Sequence, residues 1–348
     1  MRPALPTFAG LALALAACGT DEPTSTPDEF DEAVDAHWVD AAARGVTVAV
    51  VHRGTTRVLA RGQADEERAL APHDRLRVGS ITKTFTAAVI LQLADEGALA
   101  LDDTIDRWVP GFALGPEVTI RRALAHMTGL YNFTDDAGFL NRVAVPIAPG
   151  DLVAWALEHP ARFAPGASYG YSNTNYVLLG MVVEAVTGRP YAGVVRARLL
   201  DPLGLADTFI EGPDPAPALV PGFILRAAAP AFDASWSFAT GSLVSTGADL
   251  CRWADALYRG SVLPAPMVEL MTTESHPPDG TDTDYGMATF LRTRAGRRVV
   301  GHTGSTMGFN AELFIEPTGG DCVAVLANDF FGEPARVAVP LWELLAAK

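Results

Sequence analysis

Strand-like runs stand at both ends of this sequence, and helical patterns fill most of the residues between them. Two β-rich runs, 46–51 and 56–61, flank a hairpin signal near the amino terminus. Four more runs lie near the carboxyl terminus, at 287–293, 298–302, 311–315 and 322–327. Because these strands do not alternate with helices, a doubly wound parallel sheet is disfavoured. The pattern predicts a mixed α/β (α+β) fold whose terminal segments build one antiparallel sheet.

Helical periodicity marks the segments that would cover this sheet. Apolar residues at helical spacing run through 28–43, and a second such segment, 334–347, closes the chain. A long apolar helix is predicted at 80–95, and short helices interrupted by Pro and Gly follow from about 118 to 205. We therefore expect an antiparallel β-sheet flanked by N- and C-terminal helices, with an all-helical subdomain inserted between its two halves.

Composition excludes several classes of function. The 348 residues are 49% hydrophobic and 19% charged, which predicts a packed interior. A net charge of −15 repels phosphate backbones, so nucleic acid is not an expected partner. His and Cys show no zinc-binding spacing, and we expect neither a metal nor a cofactor. Cys251 and Cys322 could pair or stay as buried thiols; the sequence leaves that choice and the oligomeric state open.

The first 29 residues are typical of an exported protein. An apolar run at 8–17, too short to span a bilayer, ends in a small-residue motif at Cys18 that is similar to the lipobox of bacterial lipoproteins. Residues 1–17 are therefore predicted to be a signal peptide, 18–29 a polar tether and 30–348 the folded domain. We expect a lipid on Cys18 and a membrane-anchored lipoprotein on the extracytoplasmic side. Ordinary cleavage without a lipid is the alternative.

Lysine is almost absent from this chain, so its one internal occurrence is informative. Of 26 basic residues, only Lys83 and the terminal Lys348 are lysines. Arginine keeps its proton at any ordinary pH, whereas a desolvated lysine can lose its charge and act as a base. Lys83 lies three residues after Ser80, so one helix face would hold both side chains. Since a neighbouring base activates a serine hydroxyl, Ser80 is a candidate nucleophile and Lys83 its base.

A tyrosine and an asparagine could assist this pair. Tyr171-Ser172-Asn173 follows a stretch rich in Pro and Gly, which predicts a loop. The tyrosine hydroxyl could relay a proton. The asparagine amide could orient a lysine and bind an amide group of a substrate.

A third triplet, His302-Thr303-Gly304, follows a predicted strand. Gly304 would let a substrate lie close to the strand edge because it carries no side chain. The backbone N–H groups of Ser305 and Ser80 could together form an oxyanion hole.

The three triplets, in this order, resemble those of the serine β-lactamase and penicillin-binding-protein family, in its class C β-lactamase and D-alanyl-D-alanine carboxypeptidase branch. Segments 124–130, 202–205 and 241–250 also fit, so the resemblance runs from about residue 30 to the end of the chain. It implies a β-lactamase/transpeptidase-like hydrolase domain with Ser80 as nucleophile, Lys83 as base and Tyr171 as proton shuttle. The substrate-binding residues that it implies are Asn173, His302, Thr303, Gly304 and Ser305. Trp236 is either a pocket wall or a core residue.

The resemblance also implies a reaction, with departures that bear on the substrate. His302 stands where many β-lactamases have lysine, and a histidine is mostly neutral at pH 7, so its pull on a substrate carboxylate should be weaker. No Glu-x-x-Leu-Asn segment is present to drive deacylation. We expect an acyl-enzyme hydrolase of small-molecule or peptide amides or esters, similar to D-alanyl-D-alanine carboxypeptidases and β-lactamases. An esterase, a D-aminopeptidase and a penicillin-binding sensor without turnover are the alternatives.

Other features of the sequence compete with this interpretation. Residues 166–170 match the G-x-S-x-G elbow of α/β-hydrolases, but the residues before Ser168 do not form the apolar strand that such an elbow needs. His126 is interpreted as a structural residue at a helix end. Four arginines between 292 and 298 could steer an anionic substrate, although a solvated hairpin tip is the simpler interpretation.

Overall fold

The computed structural model describes residues 28–212, 219–281 and 283–348. The predicted signal peptide, Cys18 and most of the tether lie outside the described residues. The strands are β1 (Gly45–His52), β2 (Thr55–Gly62), β3 (Leu76–Arg77), β4 (Phe209–Ile210), β5 (Phe223–Ile224), β6 (Ala227–Ala228), β7 (Leu243–Ser245), β8 (Phe290–Arg294), β9 (Arg297–Thr306), β10 (Phe309–Ile315) and β11 (Cys322–Ala327).

Most of the helices lie between β2 and β8. The α-helices are α1 (Glu29–His37), α2 (Thr82–Asp95), α3 (Ile105–Trp108), α4 (Ile120–Leu124), α5 (Pro149–Leu157), α6 (Asn173–Thr187), α7 (Tyr191–Val195), α8 (Asp201–Leu203), α9 (Phe238–Gly241), α10 (Gly247–Tyr258), α11 (Ala265–Met271) and α12 (Ala335–Ala346). Short 3-10 turns occur at Trp38–Ala41, Gly79–Ile81, Phe133–Asp135, Phe139–Asn141 and Ala234–Trp236, and a π-helical turn at Arg196–Leu200.

The main sheet joins the two ends of the chain. Its six strands run in the order β2-β1-β11-β10-β9-β8, and each neighbouring pair is antiparallel. Val48 of β1, for example, lies opposite both Val325 of β11 and Leu59 of β2. The predicted mixed fold with an antiparallel sheet is confirmed.

Alternation along the strands gives the sheet two apolar faces. Val46, Val48 and Val50 pack with Phe30 of α1 and Trp342 of α12 in one buried cluster. Ala49, between these valines, belongs to a second and larger cluster that includes the central helices. A strand buried on both faces loses the simple polar–apolar alternation, which explains the nearly continuous apolar sequence of β1.

The structure refines several predicted boundaries. The helix predicted at 80–95 begins as a 3-10 turn and becomes regular only at Thr82. The helix predicted at 28–43 ends at His37; a 3-10 turn follows, and Ala42 adopts a left-handed conformation (φ 54°). The insert is not wholly helical, since it carries a small β3-β7-β4 sheet and a β5-β6 hairpin. Most of these strands have two residues, too few to show a period.

Cys251 and Cys322 are both buried, and both are free thiols in the structure. Within the described ranges, none of the helices has the length and apolar character needed to cross a membrane.

Candidate active site

Two glycines bring strand β9 against the turn that carries Ser80. A Cβ at Gly304 would lie 1.9 Å from the Val78 carbonyl oxygen, and one at Gly79 would lie 2.7 Å from the Ser305 backbone nitrogen. A larger residue at either position would force the turn and the strand apart. The backbone nitrogens of Ser80 and Ser305, which were predicted to form an oxyanion hole, therefore lie on adjoining segments.

Lys83 is fully buried in the first turn of α2 and contacts three oxygen atoms. Its Nζ lies 2.9 Å from Ser80 Oγ, 2.7 Å from Asn173 Oδ1 and 3.0 Å from the Thr240 carbonyl oxygen. Burial disfavours the charged ammonium and lowers the pKa of Lys83 well below its ordinary value. The sequence did not reveal the contact with Thr240, because a backbone carbonyl has no sequence signature.

Tyr171 reaches Ser80 from the loop before α6. The Tyr171 side chain interacts with that of Ser80, and burial raises the pKa of this tyrosine above its ordinary value. The ring centroid lies 5.0 Å from Lys83 Nζ and 4.2 Å from the ring of His126. His126 is buried, and its Nδ1 accepts a hydrogen bond of 3.2 Å from the Ser172 backbone N–H. The interpretation of His126 as a structural residue fits this support of the loop.

Asn173 is held in one orientation at the start of α6. Its Nδ2 donates to Asn132 Oδ1 and to Thr134 Oγ1, each at 3.2 Å, so its Oδ1 faces Lys83. The Asn173 backbone N–H also donates to Asn132 Oδ1, at 2.9 Å. Sequence analysis missed Asn132 and Thr134, since two polar residues in a short loop cannot be told from turn residues.

His302 lies in the same site but is buried and uncharged. Its Nδ1 donates to the Thr303 carbonyl oxygen, and its Nε2 accepts a hydrogen bond of 3.1 Å from the Tyr285 hydroxyl. Burial lowers the pKa of His302 to about 3, so the ring is neutral near pH 7. Contact between His302 and a substrate carboxylate stays a prediction, and the ring brings no positive charge to it. Tyr285 was not anticipated from the sequence.

Two cavities meet at Ser80. One, of about 490 Å³, is called the apolar cavity; six aromatic side chains line it, Phe133, Phe139, Phe232, Trp236, Phe330 and Phe331. The other, of about 470 Å³, is called the polar cavity; its lining includes Asn132, Tyr171, His302, Thr303 and Gly304. Ser80, Thr134, Asn173 and Ser305 line both. Trp236 is thus a wall of the apolar cavity, and its Nε1 donates to the Val145 carbonyl oxygen at 2.7 Å.

The competing features lie elsewhere or are occupied. No strand precedes Ser168, which sits in a turn and contacts Thr281 at 3.4 Å, so the elbow geometry is absent there. The four arginines at the β8–β9 hairpin all have partners. Arg292, Arg294 and Arg297 form ion pairs with Asp284, Glu312 and Asp321, and Arg298 donates to the Thr272 carbonyl oxygen. Among the described residues, no group of three or more His, Cys, Asp or Glu could hold a metal ion.

Comparison with known proteins shows which family the chain resembles. The model of the Beta-lactamase family matches residues 30–348. Penicillin-binding protein 4* of Bacillus subtilis is 26% identical over 269 residues, which are 71% of this chain and 59% of that protein. Esterase EstB of Burkholderia gladioli is 36% identical over 181 residues, 47% of this chain and 45% of the esterase. The chain thus spans about half to three fifths of the length of these relatives.

Solved structures match over almost the whole chain. A D-stereospecific amidohydrolase from Streptomyces sp. is 33% identical, with a TM-score of 0.78, over 90% of this chain and 98% of that one. D-amino acid amidase from Ochrobactrum anthropi SV3 is 25% identical, with a TM-score of 0.80, over 92% of this chain and 100% of that one. The family model covers most of the chain, and these structures share its architecture. The chain belongs to the Beta-lactamase family.

Proposed function

We propose that this protein is a serine hydrolase that cleaves amide or ester bonds through an acyl-enzyme on Ser80. The observation that carries the proposal is the environment of Lys83, a buried amine whose Nζ lies 2.9 Å from the Ser80 hydroxyl oxygen. The penicillin-binding, esterase and amidohydrolase relatives support a hydrolase of small molecules or peptides.

A neutral amine fits the three oxygen contacts of Lys83. Such an amine has two N–H bonds and one lone pair. Asn173 Oδ1 and the Thr240 carbonyl oxygen can only accept, so they take the two N–H bonds. The lone pair is then left for the Ser80 hydroxyl proton. The lowered pKa of Lys83 makes this base form more accessible than it is in an exposed lysine.

The reaction then follows from the positions of the groups. Ser80 Oγ attacks the substrate carbonyl carbon while its proton moves to Lys83 Nζ. The backbone N–H groups of Ser80 and Ser305 stabilise the oxyanion. Tyr171, which lines the same cavity as Ser80, passes a proton to the leaving amine or alcohol and regains one from Lys83. Water then attacks the acyl-enzyme by the same proton route, which releases the acid and restores Ser80.

The site favours an esterase, one of the alternatives, or an amidase over a carboxypeptidase. A carboxypeptidase must bind a free substrate carboxylate, and the neutral, fully hydrogen-bonded His302 offers no positive charge for it. A penicillin-binding sensor remains the second candidate, because none of the described residues that line the two cavities carries a carboxylate that could drive deacylation. A burst of one equivalent of product, without further turnover, would identify the sensor.

Covalent labelling tests the nucleophile. The wild-type protein is expected to react with a fluorescent fluorophosphonate or a fluorescent penicillin, and Ser80→Ala is expected to lose all labelling. Ser168→Ala is the matched control and should label as the wild type does. Labelling that survives in Ser80→Ala, or disappears in Ser168→Ala with the fold intact, would refute the assignment.

We further propose that the protein is an exported lipoprotein held at the extracytoplasmic face of the membrane by a lipid on Cys18. The proposal rests on the apolar run and the motif at Cys18 in the sequence. Metabolic labelling with a fatty acid should mark the wild type and not Cys18→Ala. An unlabelled wild type recovered in the soluble fraction would contradict it.

A further inference from the structure

The two cavities would hold the two parts of a substrate that lie on either side of the cleaved bond. Ser80 lines both cavities, whereas Tyr171 lines only the polar one. The group that donates a proton to the leaving group must lie beside it. The leaving group therefore belongs in the polar cavity. The acyl group, on the other side of the attacked carbonyl carbon, belongs in the apolar cavity.

The apolar cavity matches an uncharged acyl group in shape and chemistry. About 490 Å³ is within the range of small-molecule sites. Among the described residues that line it, none is Lys, Arg, His, Asp or Glu, and apolar side chains predominate. Leu140 and Phe331 extend this surface outwards, with 68% and 53% of their area exposed. An apolar acyl chain would cover both side chains. Binding would then be favoured because apolar surface on the chain and on the protein is removed from water.

The charged side chain that packs behind the apolar cavity, Arg77, already has an ion-pair partner. Behind Phe232, the Arg77 guanidinium lies 5.2 Å from the ring and is held by both carboxylate oxygens of Glu211. In the part of the polar lining that the structure describes, the titratable side chains are Tyr171 and His302, and His302 is neutral near pH 7. Among the described lining residues, neither a substrate ammonium nor a substrate carboxylate would find a free counter-charge. A charged group that loses its water without an ionic partner is disfavoured.

We propose that the substrates are neutral esters or amides with a bulky apolar acyl group, aryl or branched alkyl, and a small, uncharged, polar leaving group. The proposal rests on the hydrolase function proposed above and narrows it. It sets aside two substrate classes, peptides with a free carboxylate on the leaving side and amino-acid amides with a free ammonium on the acyl side.

Isosteric substrates separate charge from size. Methyl heptanoate and methyl 6-aminohexanoate, whose amine is protonated at neutral pH, have nearly the same shape and differ by one positive charge. We expect kcat/KM for the neutral ester to exceed that for the cation at least tenfold, and to exceed that for methyl acetate by about tenfold or more. On the leaving side, a 3-phenylpropanoyl ester of glycolamide should be cleaved at least tenfold faster than the same ester of glycolate.

Two variants test whether the preference for the neutral ester over the cationic ester depends on the apolar cavity. Phe331→Asp places a carboxylate at its mouth and should reduce the preference for the neutral isostere severalfold. Leu225→Asp changes a residue that is 75% exposed and outside the lining, and should leave the preference unchanged.

These experiments can reject the proposed substrate class and the proposed hydrolase function separately. Ser80-dependent hydrolysis with equal kcat/KM for acetate, cationic and neutral esters, or with no shift in Phe331→Asp, would overturn the substrate class and leave the Ser80 mechanism standing. Absence of both Ser80-dependent turnover and Ser80 labelling would overturn the hydrolase function, and the substrate class with it.

Discussion

The chemistry of this site depends on Lys83, whose burial disfavours the charged form of its side chain. Lys83 is fully buried, and its nitrogen contacts one hydroxyl oxygen and two carbonyl-type oxygens. Arginine at this position would keep its charge and could not accept the Ser80 proton. We predict that Lys83→Arg lowers kcat/KM by roughly a hundredfold or more. Steady-state kinetics checks this, with Lys348→Arg as the matched control, and near-normal turnover in Lys83→Arg would overturn the role of the base.

The pH dependence of catalysis follows from the same residue. Only neutral Lys83 can accept a proton, so activity is lost as pH falls through its pKa and rises as pH increases. Burial lowers that pKa, which moves the rise of kcat/KM well below pH 10.5. Burial raises the pKa of Tyr171, so the proton donor stays protonated beyond pH 10. A profile of kcat/KM measured from pH 5 to 11 that rises only near 10.5 would contradict this account.

At the residue scale, the sequence identified the reactive residues but not the residues that hold them in position. The rarity of lysine singled out Lys83, and three-residue spacing joined it to Ser80. The supports of the site, Thr240, Asn132 and Tyr285, act through a carbonyl, a loop amide and a buried hydroxyl. Their roles depend on contacts between segments far apart in the chain, which no local pattern records.

At the scale of elements, the site exists because β9 touches the turn before α2. We predict that Gly304→Ala separates them, since the added Cβ would lie 1.9 Å from the Val78 carbonyl oxygen, and lowers the rate of Ser80 labelling at least a hundredfold. Gly193→Ala in α7 is the control, because its Cβ would meet nothing closer than 3.9 Å. Wild-type labelling by Gly304→Ala with an unchanged circular dichroism spectrum would argue against this close approach.

Element type was easier to predict than element boundaries. The six strands of the main sheet were all expected, because their apolar runs are bounded by turn residues. The run predicted from 287 begins as a strand only at Phe290. Ser80 was expected within a regular helix but lies in a 3-10 turn, where the contact with β9 overrides helical propensity.

For the whole molecule, the buried imidazole of His302 makes folding sensitive to acid. Its pKa is lowered to about 3 in the folded state, whereas the unfolded chain binds that proton near pH 6.5. Its contribution to stability is therefore present above pH 6.5 and is lost as pH falls towards 3. By linkage, the loss between pH 7.5 and 5.0 is about 2 kcal/mol. We predict that urea unfolding shows a smaller acid loss in His302→Gln by this amount; equal losses in both proteins would contradict it.

The overall architecture was predictable because strand-like apolar runs at both ends of the chain indicated one antiparallel sheet. The packing of the insert was not, since its short helices and two-residue strands carry too little periodicity to fix how they pack. The division of the site into an apolar and a polar cavity arises from that packing. Phe133, Phe232 and Phe331 come from three distant loops and meet only in the folded chain.

One measurement tests the central claim, that burial lowers the pKa of Lys83 well below its ordinary value and so makes this amine a base for Ser80. The chain has two lysines, so selective ¹³C labelling of lysine gives only two Cε resonances, and Lys348→Arg leaves the one from Lys83. The account predicts that this resonance titrates with a midpoint well below 10.5. A midpoint at or above 10.5 would show a charged ammonium, and the proposed base of the reaction would be excluded.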